Sequence, residues 1–263
     1  MVAWLVATVL LFVLVRAPFA LVPVIPYQVE FQPGVVLAPL AGVFWGPAGA
    51  VGMAAASLIG DALYGMWGVL SPFRAIGLFL FAYSSKALWD YTRARTGKPG
   101  SLDPTWGSTV RFLYVTTPGC ILAALWPALA ADFYRLYAFP YILFLLLANN
   151  VLFTALLGPA LYRILARELV PHFGCWREVM AEHSIRILSV RGARLHVAGC
   201  LGAAVIGSLV AGGVYKFWPA RAVILGDTCG PLLWMAVVPF MALQVMGFFF
   251  TEERVEKGLE IRP

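Results

Sequence analysis

Charge is scarce in this chain. Of 263 residues only 12% are Asp, Glu, Lys or Arg, while 61% are hydrophobic. Soluble domains carry about 25% charged residues, and no soluble core of this length hides so many apolar side chains. Mean hydropathy is +0.84. An integral membrane protein with one membrane domain is expected. Phosphate-binding glycine loops of the GxxxxGK[ST] kind are missing, as are GxSxG and HExxH. Nothing therefore points to ATP bound in a P-loop, to an esterase elbow or to a zinc protease. No Ser-His-Asp set falls within one compartment, and the chain is read as a non-enzyme without a cofactor. Cysteine is limited to Cys120, Cys175, Cys200 and Cys229, with no CxxC pair; these read as buried thiols. His172 and Cys175 make one HxxC pair with no matching second pair, a poor zinc signal. The net charge of +6 comes without a basic run interleaved with aromatics, which argues against nucleic acid. Positive-inside bias and anionic lipid account for it better.

What is present is apolar runs. The first, 2–22, lacks a basic leader and carries its arginine after the apolar stretch, so it is read as a retained helix rather than a signal peptide. Further helices are expected near 48–66, 70–91, 112–131, 137–162, 195–215 and 229–250, each close to the roughly 20 residues a bilayer requires. Residues 34–45 form a shorter apolar segment ending at Gly46-Pro47, fit for a helix packed inside protein. That gives eight segments. With the N-terminus cytoplasmic, the 92–111 loop, the 163–194 loop and the tail hold thirteen Lys and Arg, against four on the opposite side. Both termini are then cytoplasmic. The chain enters at Pro33, turns at Gly46-Pro47 on the inner side and returns to Asp61, so that Glu30 and Asp61 share the outer side.

Ionisable groups at membrane depth are functional candidates by default. Arg16, Glu30, Asp61 and Arg74, with Tyr27 and Trp67, would line an outer pocket of the kind that takes small molecules. A structural clamp of Arg16 on Asp61 or Glu30 is an equal alternative. Asn149 and Asn150 lie in an apolar helix and need partners there, either helix–helix hydrogen bonds or a ligand; Asn150 joins the ligand candidates. Glycines and alanines between Gly42 and Gly60 predict tight packing, and Ala3 and Ala7 form a small-xxx-small face. Residues 176–190 have apolar positions at near-helical spacing, which predicts an amphipathic surface helix. The run 96–108 reads as a turn-rich loop. The tail reads as solvated, with Glu253 and Lys257 placed to pair across a helical turn.

"VEFQPGVVLAPLAGVFWGPAGAVGMAAASLIGDALYG" resembles the N-terminal half of the substrate-capture (S) components of energy-coupling-factor vitamin transporters. The shared features are the Gln32-Pro33 entry, a short apolar helix, the Gly46-Pro47-Ala48-Gly49 turn and a small-residue helix ending at Gly60-Asp61. "LLANNVLFTALLGPALYRIL" is similar to their last helix, and Ala3–Ala7 matches their AxxxA face for docking the membrane coupling subunit. The resemblance covers roughly 1–167. It implies an all-α six-helix bundle, an outward site for a vitamin-like molecule, no hydrolysis by this chain, and dependence on a coupling subunit and ATPases in a bacterial inner membrane. Beyond it lie a basic loop (168–194), two apolar helices (195–250) that the family usually lacks and a charged tail (251–263). These additions suit an alternative, a non-catalytic accessory or scaffold subunit of a larger membrane complex. An enzyme acting on lipid-like substrates is the weakest reading.

Overall fold

A computed structural model describes residues 2–20, 23–25, 29–95, 102, 104–169, 176, 185–217 and 231–254. Among these are seven helices: α1 (Val2–Arg16), α2 (Leu37–Leu63), α3 (Ser71–Arg95), α4 (Trp106–Phe133), α5 (Phe139–Ile164), α6 (Val190–Phe217) and α7 (Pro231–Gly247). Two short antiparallel ladders accompany them, β1 (Pro23–Ile25) with β2 (Val29–Glu30), and β3 (Ile185–Leu188) with β4 (Thr251–Arg254). The all-α expectation holds for the body of the chain. Four stretches, Pro33–Leu63, Trp106–Phe133, Phe139–Glu168 and Val190–Val214, are long and apolar enough to cross a membrane, and α1 and α7 are shorter apolar helices.

The first of these stretches is not a straight rod. Gly46 sits at φ 61°, ψ −138° inside α2, a conformation that favours glycine, and the following Pro47 cannot continue the helical ladder. The chain reverses there. A Cβ on Gly49 would run into the Ala41 carbonyl, eight residues back, which one straight helix would keep about 12 Å away. The arm 37–45, entered through the 3-10 turn Pro33–Val36, is therefore antiparallel to the arm 47–63. Depth markers agree along both arms. Gly34 lies against Phe12 and Val15 late in α1, Gly46 against Trp176, Gly52 against Thr8, and Gly60 against Arg16. We call the end of the bundle holding Val2 and Gly46 proximal and the end holding Arg16 and Asp61 distal. The expected hairpin from Pro33 through Gly46-Pro47 to Asp61 is present.

This hairpin is the centre of the molecule. In the most apolar window of Pro33–Leu63, 89% of residues are buried, against 28% in the windows on α5 and α6. Broken backbone is thus held inside protein, where its polar groups find partners. Helices α1, α3, α4 and α5 wrap it, and a core of Phe12, Leu40, Met53, Phe81, Trp89 and Tyr162 fills the space between. Helices α6 and α7 pair closely with one another through Gly192, Gly199 and Gly247. In the bundle they pack on the distal halves of α4 and α5, through Leu125, Leu129, Phe139 and Ile142 with Ala203, Val237 and Met241, and they also meet α3, where Ser84 faces His196.

Several expected boundaries are corrected. Helix α1 stops at Arg16 rather than 22, because Pro18 interrupts the ladder and Phe19 and Ala20 donate back to the Arg16 carbonyl. Helix α4 begins at Trp106, inside the run taken as loop, because the Thr105 side chain accepts from the Ser108 N–H and caps it. Helix α6 begins at Val190, not 195. The amphipathic helix expected over 176–190 is replaced at 185–188 by a strand paired with residues 251–254 of the tail. The tail therefore starts as a paired strand, and Ser189 donates to the Phe250 carbonyl to close the ladder. Residues 177–184 and Lys257 lie outside the described residues.

Candidate functional site at the distal end

Three of the residues singled out in the sequence meet at the distal end. Arg16 is the last residue of α1, Asp61 lies in the last turn of the second α2 arm and Arg74 in the first turn of α3. Asp61 Oδ1 is 2.7 Å from Arg16 Nη2, and Asp61 Oδ2 is 3.0 Å from Arg74 Nη2. Arg16 and Asp61 are each 1% exposed and Arg74 is 14% exposed. One carboxylate thus ties three elements, and each of its oxygens is engaged.

The surrounding backbone serves this pairing. Gly60 leaves room for the guanidinium: a Cβ there would lie 2.7 Å from Arg16 Nη1. Tyr64 Oη donates to the Val13 carbonyl (2.8 Å) and its ring lies 5.8 Å from the Arg16 guanidinium carbon. Arg74 Nη2 also donates to the Met66 carbonyl (3.0 Å), and the Met66 N–H donates to the Asp61 carbonyl (2.8 Å). The α2–α3 connection is therefore folded around the triad. It presents Trp67 outward, 63% exposed. The arrangement fixes three charged side chains at the distal end, with an exposed indole on the adjoining loop.

The other candidates fall elsewhere. Asn150 is buried in α5 and its amide donates to the Cys120 carbonyl of α4 (3.2 Å). Asn149 Oδ1 accepts from the Gln32 N–H (3.2 Å), pinning the entry to the hairpin. Both amides thus perform helix or loop bonding. Glu30 lies in β2 with its backbone paired to Pro23; its side chain, Tyr27, His172, Cys175, His183 and Cys229 lie outside the described residues. Ala3 and Ala7 are both exposed on α1, on the side that also carries exposed Leu10 and Leu14. Among the described residues no group of three His, Cys, Asp or Glu is placed to hold a metal.

Two buried polar clusters were not anticipated. His196 Nε2 and Ser84 Oγ stand 2.6 Å apart, and His196 Nδ1 faces the Gln244 carbonyl oxygen at 3.2 Å. A carbonyl only accepts, so Nδ1 carries the proton and Nε2 is left to accept from the serine. This cluster ties α3 to α6 and α7. At the proximal end Lys86 pairs with Asp90 one turn on (3.2 Å), and its ammonium lies 4.5 Å from the Trp176 ring centre. Lys86 inside an apolar helix was visible in the sequence; its aromatic partner, 90 positions away, was not. Comparison with known protein families, curated proteins and solved structures finds no match for this chain.

Proposed function

We propose that the chain is a membrane-embedded, non-catalytic binding subunit of an uptake transporter. It captures a small, vitamin-like molecule at the distal end and works with a separate coupling subunit and ATPases. In this reading the basic proximal end faces the cytoplasm of a bacterial inner membrane and both termini lie inside. The convergence of Arg16, Asp61 and Arg74 beside exposed Trp67 carries the proposal. Charged groups are costly at this depth and are kept for a purpose. In this reading Asp61 holds the two arginines in place beneath the site, and exposed Trp67 supplies a stacking face for the ligand. The exposed Ala3–Ala7 stripe suits close approach of a coupling helix.

Native mass spectrometry of the purified chain tests this. A bound small molecule is expected, and Trp67→Ala, an exposed position with little packing to lose, should release it while the melting temperature holds. A ligand-free preparation, together with identical small-molecule binding by wild type and Trp67→Ala, would sink the proposal.

A second reading is favoured by one observation, that both Asp61 oxygens are turned onto arginines rather than into a cavity. An accessory or scaffold subunit of a larger membrane complex needs only such a clamp. Stable co-purification with other membrane subunits, without ATPases, would select it.

A further inference from the structure

An apolar groove opens at the other end of the bundle. A groove of about 670 Å³ lies between the end of α3, the first half of α4 and the first three turns of α6, lined by Leu88, Tyr91, Tyr114, Ile121, Val197 and Leu201, with Arg194 at its edge. We propose that this groove holds one acyl chain of an anionic phospholipid, with the lipid phosphate at Arg194. The inference rests on the membrane reading above but not on transport.

The wall makes no polar demand. Its two threonines are committed to their own helices: Thr92 Oγ1 donates to the Trp89 carbonyl (3.0 Å) and Thr117 Oγ1 to the Leu113 carbonyl (3.1 Å). What enters need carry no buried hydrogen-bonding group, as an acyl chain does not. The length also fits. From Ala193 to Leu201 the α6 wall rises about 12 Å, close to one leaflet of a hydrocarbon core roughly 30 Å thick. Small side chains keep it open, since Ala193 and Ala198 of α6 face Thr117 and Pro118 of α4 across the gap.

An exposed tyrosine and an exposed arginine line the groove. Tyr114 is 70% exposed at the mouth, the position of a belt residue at headgroup depth. Arg194 is exposed, and no carboxylate among the described residues pairs with it. No acidic residue lines the groove. An apolar groove between helices with an exposed arginine at its edge suits an acyl chain carrying an anionic headgroup.

The test uses the full chain, delipidated in detergent, and native mass spectrometry with phosphatidylglycerol, phosphatidylcholine or inorganic phosphate added. Phosphatidylglycerol should bind as a discrete adduct, about fivefold more tightly than phosphatidylcholine for one arginine at a phosphate, with no adduct from phosphate alone. Arg194→Gln should remove that preference while both lipids still bind. Ala198→Trp, at an exposed position, should fill the groove and abolish the adduct without lowering the melting temperature. A phosphatidylglycerol with a photoreactive acyl chain should label α4 and α6 near Ile121 and Leu201. Equal affinity for the two lipids in wild type, an adduct that survives Ala198→Trp, or label confined to other helices would overturn the proposal.

Discussion

The distal triad and the proximal Lys86–Asp90 pair are both buried ionic clusters in an apolar protein, yet they are built differently. Asp61 joins α1, α2 and α3, so its loss would uncouple three elements. Asp90 and Lys86 share one helix at i,i+4 spacing, and Trp176 lies against the ammonium. The ion pair itself lies between neighbouring turns of one helix, and a freed lysine has a long stem with which to seek solvent. Arg16, at the end of its helix and 1% exposed, is enclosed by Tyr64, Gly60 and Met66. The two clusters therefore set a carboxylate bridging three elements beside an ion pair formed within one helix.

The comparison can be broken or sharpened by substitution. Asp61→Ala should have the largest effect, about 3–5 kcal/mol, because it removes the carboxylate that both guanidinium groups face. It should appear as a much lower melting temperature and loss of monodisperse protein in detergent. Gly46→Ala should follow, at about 2–4 kcal/mol, from a strained backbone together with a Cβ set 2.7 Å from the Trp176 ring. Pairing it with Trp176→Ala should relieve the clash and leave the backbone strain, so partial recovery is expected in the same melting experiment. Asp90→Asn should cost least, about 1.5 kcal/mol, the scale of one charged hydrogen bond. A loss at Asp90 equal to that at Asp61 would erase the distinction between the clusters.

Much of this was legible in the sequence where the signal was local or concerned depth. Gly46-Pro47 is a break that few helices survive, and the small residues around it announce close packing. Both were enough to place the turn of the hairpin. Arg16 and Asp61 could be set at the same level simply by counting residues along α1 and the second α2 arm, which is why a clamp of Arg16 on Asp61 or Glu30 stands beside the ligand pocket as an equal reading. Long-range pairings were hidden. Strand β3 finds its partner 66 positions later, and nothing in "IRIL" says whether it will coil as an amphipathic helix or pair with "TEER". Ser84 and His196 are 112 positions apart and lie in spans that each read as ordinary apolar helix. Thr105 was lost among turn-forming neighbours, although its cap is what starts α4. Pro18 was the one local signal available for the end of α1 and was outweighed by the apolar run around it.

A double-mutant cycle on Arg16→Met and Asp61→Leu, read as unfolding free energy in detergent, tests the clamp most directly. If the two groups act as one cross-element tie, the double variant should be at least about 1.5 kcal/mol more stable than the sum of the single losses, within the range for coupled contacts. Strictly additive losses would contradict the account, because they would mean that Arg16 and Asp61 are held for separate reasons.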